Sequence, residues 1–306
     1  MRREKMRGTE EKHLEKRAGC GMIGIRKSGE MSALIFLYFL IFCLAVTGLY
    51  AALAASVTVW SVLGVFALSF LGANLLFALT FWLNSLLLPR LAPGEGIQRQ
   101  HAFSRRICSA VAQWLGGYAG VRVHITGQEK LPDGPFLFVS NHRSMFDPLT
   151  VMGWLDKYNI SFVSKPSNLV LPVAGITARH AGFLAIDREN NREALKTILQ
   201  AADYLKRGVC NIGIYPEGTR SKTREMLPFH AGSFKIAQKA GVPVAVACTH
   251  GTENVKKRLF LRPTPVYIDI LAVIDAERVK AMGTNDLAEE ARRLIQTRLD
   301  ETEGEK

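Results

Sequence analysis

The pattern of apolar and polar positions divides the chain into three stretches. Residues 1–30 are polar and carry nine Lys or Arg against five Glu, which predicts a charged, solvated and disordered tail. From Met31 to Pro89 no charged residue occurs in 59 positions. One membrane span takes about 20 apolar residues, so this run has room for two, expected at about 32–54 and 60–86 around a softer turn at Ala54–Thr58. It is too long for a cleaved signal peptide. Basic residues flank it on both sides: Arg26 and Lys27 before, then Arg90, Arg99, Arg105 and Arg106. By the positive-inside tendency both ends face the cytoplasm, which requires an even number of spans. A re-entrant or interfacial helical pair dipping into one leaflet is the alternative. Gly48 and Ala52 have the small-residue spacing that lets membrane helices approach closely.

Beyond a Pro/Gly-containing linker at Pro89–Gly96 the pattern changes. Residues 99–118 predict an amphipathic helix carrying Phe103, Ile107, Val111, Trp114 and Leu115, suited to a membrane interface or to core packing. An alternating run at Val121–Ile125 and short runs at Phe136–Val139, Ile160–Ser164, Gly182–Ile186, Ile212–Tyr215, Val242–Cys248 and Val266–Ile270 each predict a strand. Between them fall helical patterns from Asp147 to about Lys157, at Leu169–Arg179, Arg192–Lys206 and Ser233–Ala240, with a last one at 286–299. Strands alternating with helices indicate an α/β fold with a largely parallel central sheet flanked by helices. The expected organisation is thus a tail (1–30), a hydrophobic two-helix membrane hairpin (31–89) and an α/β domain (90–306).

The composition of these 306 residues adds a formal net charge of +12, which suits anionic head groups and phosphate-bearing substrates. No nucleic-acid-binding motif accompanies it. Cys20, Cys43, Cys108, Cys210 and Cys248 lack metal or CxxC spacing, which argues for a reducing compartment and against zinc or a disulfide framework.

Candidate chemistry concentrates in Asn141-His142-Arg143-Ser144-Met145-Phe146-Asp147-Pro148. This octet follows the Phe136–Val139 run and ends in Asp-Pro, read as a helix start with Asp147 at the N-cap and Pro148 at the first helical position. His142 then sits at the carboxyl end of a strand, where α/β sheets bind ligands. An imidazole can accept a proton near neutral pH, and a carboxylate on its other nitrogen fixes the tautomer. The plain alternative is a capping Asp147 beside a satisfied loop histidine. Farther on, Ile212–Tyr215 runs into Pro216-Glu217-Gly218-Thr219-Arg220-Ser221.

Asn-His-x4-Asp followed about seventy residues later by Pro-Glu-Gly-Thr-Arg resembles the glycerolipid acyltransferase family, and within it the 1-acyl-glycerol-3-phosphate acyltransferases. The resemblance covers about residues 100–275. It implies that His142 deprotonates the free hydroxyl of a lysolipid, with Asp147 orienting it, and that the oxygen attacks an acyl thioester without a covalent acyl-enzyme. The alternative, a Ser144 nucleophile, lacks the Gly-x-Ser-x-Gly elbow. Arg220 is the candidate for the acceptor phosphate, because a guanidinium presents a rigid fork of donors. Gly218 would let the backbone approach, Thr219 or Ser221 would add hydroxyls, and Glu217 would orient Arg220 or bind an acceptor hydroxyl. Lys165 and Arg188 of Ile186-Asp187-Arg188 match family positions that face the substrate. The fourth block departs: Val246 stands where the family usually has a second proline after Val242-Pro243-Val244.

The implied activity is transfer of an acyl group from acyl-CoA or acyl carrier protein to lysophosphatidic acid, giving phosphatidic acid at the cytoplasmic membrane with the catalytic part facing the cytoplasm. No cofactor and no metal are expected. The rival readings are another lysolipid acceptor, such as a lyso-ornithine lipid, and a lipid-binding membrane protein without turnover.

Overall fold

The protein is described by a computed structural model that covers residues 30–54, 56–92, 94–223, 225–258 and 262–304. The charged tail expected at 1–30 lies outside the described residues up to position 29. The apolar run forms two antiparallel helices, α1 (Glu30–Leu53) and α2 (Val59–Leu87), joined where the softer stretch predicted a turn. Thr58 starts α2 with a capping box: its hydroxyl accepts the Ser61 N–H at 3.2 Å, and Ser61 Oγ accepts the Thr58 N–H at 3.0 Å. Among the described residues α2 is long and apolar enough to cross a membrane. Phe39 stitches the pair together, its ring 6.5 Å from Phe70 and 6.1 Å from Phe77. Gly48 is not the close-approach point its spacing suggested, since a Cβ placed there would meet nothing within 4 Å.

The amphipathic segment folds as α3 (Ala102–Tyr118) and is buried on two sides. Toward the hairpin, Trp114 packs 5.5 Å from the Phe77 ring, and Asn74 Oδ1 accepts from Trp114 Nε1–H at 3.1 Å and Tyr118 O–H at 2.6 Å. Asn84 bonds the hydroxyls of Ser104 and Thr177. A residue-84-to-104 contact at one end and 70-to-118 at the other make α3 run antiparallel along the second half of α2. On its opposite side Gly116 lies against the Trp154 ring, too close for any Cβ.

Seven strands form one sheet: β1 (Val121–Thr126), β2 (Leu137–Ser140), β3 (Ile160–Ser164), β4 (Leu184–Ala185), β5 (Asn211–Ile214), β6 (Val244–His250) and β7 (Thr264–Ile274). Their order is β1-β7-β6-β2-β5-β3-β4. The run β6-β2-β5-β3-β4 is parallel throughout, β7 is antiparallel to β6, and β1 is parallel to β7. The sheet is therefore largely parallel, with helices on its faces, as the alternation predicted. Its central strands β2, β3, β5 and β6 are buried on both sides, which is why they read as short runs without charge. Leu137, Val139, Ile212, Ile214, Val244 and Val246 fill one side, where Ile236, Leu287 and Ile295 also pack. Phe136, Phe138, Ala245, Ala247, Ile268 and Ile270 fill the other, with Val151 and Leu155.

Helices α4 (Phe146–Trp154), α5 (Pro166–Leu169), α6 (Ala174–His180), α7 (Asn191–Lys206), α8 (Lys235–Ala240), α9 (Val255–Arg258), α10 (Ala276–Ala281) and α11 (Thr284–Gly304) complete the chain. The helix expected across 169–179 is split into α5 and α6. The strand expected over 182–186 shrinks to two residues, and Gly182 before it takes a φ of +94° against Ser161 and Cys210.

Candidate active site

The centre of the sheet's carboxyl edge holds the His142 loop, directly after β2. His142 Nδ1 lies 2.8 Å from Asp147 Oδ2. The same oxygen accepts the backbone N–H groups of Arg143 at 2.7 Å and Ser144 at 2.8 Å, and Oδ1 accepts the Thr252 hydroxyl. Asp147 is fully buried, whereas the His142 side chain keeps a fifth of its surface. A carboxylate here holds the Nδ1 proton, which leaves Nε2 as the free basic nitrogen. The helix start differs from the expected one. Met145 is the N-cap of α4, Asp147 lies inside its first turn, and the loop folds back over the carboxylate instead of being capped by it. Pro148 therefore comes third rather than first in the helix.

The imidazole stacks on Tyr215, with centroids 4.4 Å apart and 17° between planes, and Tyr215 stacks on Phe162 at 5.2 Å and 4°. Gly213 makes this column possible, because a Cβ there would fall 2.4 Å from the Phe162 ring. Burial, then the nearby Asp147 charge, push the Tyr215 phenol well above its ordinary pKa. Asn141 extends β2 with its side chain: its amide donates to the Thr249 carbonyl and accepts the Thr249 N–H, both at 2.8 Å. Thus the loop is pinned to β6 on one side and stacked on the β5 exit on the other.

Glu217 is held by backbone donors. Its buried carboxylate accepts the His142 N–H at 2.7 Å and the Leu227 N–H at 3.0 Å, so it ties the two motif loops together. Burial raises its pKa, and those two N–H groups partly oppose the shift. Ser221 N–H donates to the His142 carbonyl at 2.8 Å and completes the tie. Ser144 Oγ accepts the Phe146 N–H at 3.2 Å, while the hydrogen-bonded partner of His142 Nδ1 is Asp147. That arrangement gives Ser144 the part of a turn residue.

The predicted cations fall at the ends of neighbouring strands. Lys165 is exposed at the N-cap of α5 after β3, and Arg188 follows β4. Gly218 has a φ of +76°, and a Cβ on it would press into His230, with Arg188 Cδ 3.8 Å away. Its own N–H is committed to the Tyr215 carbonyl at 3.1 Å, so the glycine is required by the turn. Thr219 and Arg220 are exposed and line a cleft of about 440 Å³ with Arg143, Ser221, Lys222 and Lys257. Glu253 is the acidic group there and pairs with Arg143 at 3.2 Å. Arg143 and Lys257 are among the cleft residues that sequence reasoning missed, with Lys222 and Glu253. The basic residue inside the His142 octet was a signal for the first; nothing local marked the second.

A family model described as Acyltransferase matches residues 122–249, the stretch that holds both motifs. The 1-acyl-sn-glycerol-3-phosphate acyltransferase of Salmonella typhimurium is 30% identical over 172 residues, covering 56% of this chain and 70% of that protein. The chain belongs to the acyltransferase family. The enzyme of the same description from Haemophilus influenzae is 29% identical over 199 residues, 64% of this chain and 82% of that protein. The crystal structure of the 1-acyl-sn-glycerophosphate (LPA) acyltransferase PlsC from Thermotoga maritima superposes with a TM-score of 0.53 at 21% identity, covering 74% of this chain and 89% of that one. At that identity the likeness is one of fold. An acyltransferase of this kind takes an acyl donor and a lysophospholipid acceptor.

Proposed function

We propose that this acyltransferase moves an acyl chain from a thioester, acyl-CoA or acyl carrier protein, to the sn-2 hydroxyl of lysophosphatidic acid, yielding phosphatidic acid. The His142–Asp147 pair carries the reading: a partly exposed base whose other nitrogen is held by a buried carboxylate. Nε2 takes the hydroxyl proton as that oxygen attacks the thioester carbonyl. The new C–O bond forms, the C–S bond breaks, and the imidazolium returns its proton to the leaving thiolate. Lys165, Arg188 and Arg220 supply positive charge for the acceptor phosphate, and Gly218 and Thr219 shape the turn that presents Arg220. Glu217 acts on the framework of the loops.

The 90–306 segment is the catalytic domain on this reading, and the hairpin embeds in the cytoplasmic membrane. α3 covers the half of α2 from Phe70 onward. Only residues 59–69 extend past it, about 16 Å at 1.5 Å per residue, against about 30 Å for a bilayer core. That length favours the one-leaflet hairpin over a pair of full spans, with the catalytic domain facing the cytoplasm.

The test is acyl transfer to radiolabelled lysophosphatidic acid by membranes containing the wild type or His142→Ala, with each donor supplied separately. Activity present in the wild type and lower by at least a hundredfold in the variant is expected. An equally active variant removes the base assignment. Wild-type membranes that acylate another lysolipid but not this one would replace the acceptor.

A further inference from the structure

The turn between α5 and α6 exposes bulky apolar side chains to solvent: Val170 at 76% and Leu171 at 50%, followed by exposed Pro172. Nothing in the catalytic geometry uses them. Isolated exposed apolar residues are ordinary, but these two are adjacent and sit beside a larger apolar surface. Leu169, Val170 and Pro172 line a cavity of about 350 Å³ together with Pro89 and Leu91, the residues that follow α2. Two hydrogen bonds fix this junction: Arg179 Nη1 donates to the Leu91 carbonyl at 2.6 Å, and His180 Nε2 meets the Pro89 carbonyl at 2.9 Å. The apex is thus continuous with the outward face of the hairpin, where Leu83, Leu86 and Leu87 are 44%, 57% and 84% exposed. The surrounding charge is of one sign. From Lys165 to His180 the chain has no acidic residue, and Lys165 and the exposed Arg90 flank the apex.

We propose that the Val170–Pro172 apex is a second membrane-docking element, which inserts into the interface of an anionic bilayer beside the hairpin. This rests on the membrane acyltransferase reading and deepens it. Two contacts fix an orientation that a hairpin alone leaves free to swivel. The apex follows Lys165 by five residues, and Lys165 ends the strand two places from β2 in the sheet. Docking therefore brings the carboxyl edge of β3, and the acceptor cation on it, to head-group level. A lysolipid then reaches His142 by lateral movement within the leaflet. Lysine and arginine beside buried apolar side chains are the chemistry that recognises anionic lipid.

The experiment uses the full chain with the double substitution Val170→Glu, Leu171→Glu. Turnover is measured on phosphatidylglycerol-containing vesicles carrying long-chain lysophosphatidic acid, and on a short-chain, monomeric lysophosphatidic acid in the same buffer. On vesicles turnover should fall about tenfold, and it should remain unchanged on the monomeric substrate. No loss on vesicles, or an equal loss on both substrates, would overturn the proposal. A second reading does not depend on activity. A nitroxide is placed at Leu171→Cys in a Cys20→Ser background, since Cys43, Cys108, Cys210 and Cys248 are buried. On vesicles it should collide with oxygen in preference to a water-soluble nickel chelate, and the reverse preference would overturn the docking. A wild type that acylates neither substrate would sink the acyltransferase reading, while the nitroxide depth would still decide the apex.

Discussion

Asp147 shows how much can rest on one carboxylate. It takes the imidazole N–H, two loop N–H groups and a hydroxyl, so it orders the loop and orients the imidazole at once. Asp147→Asn keeps an acceptor for the N–H groups but removes the charge that stabilises the imidazolium. Steady-state kinetics should show kcat lower by about 10²–10⁴-fold with little change in the acceptor KM; an unchanged kcat would remove Asp147 from catalysis. Asp269 is another buried carboxylate, away from this loop. Burial alone would raise its pKa, but the His250 ring 3.5 Å away and hydrogen bonds from Thr126 and Arg298 hold it well below the ordinary value of 3.8. A depressed carboxylate contributes stability that is fully present above its unfolded value and is lost as pH falls through that value toward the folded one. Asp269→Asn should therefore cost about 2–3 kcal/mol at pH 7, measured by chemical unfolding in detergent, and the gap to wild type should narrow below about pH 4. A gap independent of pH would rule out the ionised pair as its source.

At the scale of elements, the placement of the His142 imidazole depends on the packing of β3 against β5. Phe162 on β3, Tyr215 after β5 and His142 after β2 form one stacked column, which exists because Gly213 leaves a slot for the Phe162 ring. Gly213→Val should lower stability by about 1–3 kcal/mol and reduce acyl transfer by displacing the imidazole, without touching a group that binds substrate. Thermal denaturation and kinetics on the same preparation check both; full activity in a destabilised variant would show that the column supports the fold alone. A glycine within an apolar run announces a strand but not the ring that needs its missing Cβ. The start of α4 shows the same limit. Asp-Pro is a good local signal for a cap, but the carboxylate is more strongly engaged by the loop N–H groups and the imidazole that tertiary folding delivers to it.

For the whole molecule, the decisive relation is that of the hairpin to the sheet. Asn74 and Asn84, polar residues within an otherwise apolar helix, bond α3 and α6 and fix the hairpin against the α/β fold. If the hairpin enters one leaflet, Ser56→Cys in a Cys20→Ser background should resist an impermeant thiol reagent applied to either face of sealed membrane vesicles. Labelling from the face opposite the α/β sheet would establish full spans instead.

The sequence by itself determined the hairpin, the α/β alternation, the His142–Asp147 pair and the Glu-Gly-Thr-Arg turn. Each is written in local periodicity or in a few residues at fixed spacing, and local sterics and solvent partition act on those directly. Tertiary structure decided the rest: the reversal of β7 against β6, the two-residue β4, the bracing role of Glu217, the entry of Arg143 and Lys257 into the cleft, and the joining of hairpin to sheet through α3. Those depend on which distant backbone donors and side chains meet, and a buried carboxylate is assigned to whichever donors the finished packing brings within hydrogen-bond reach.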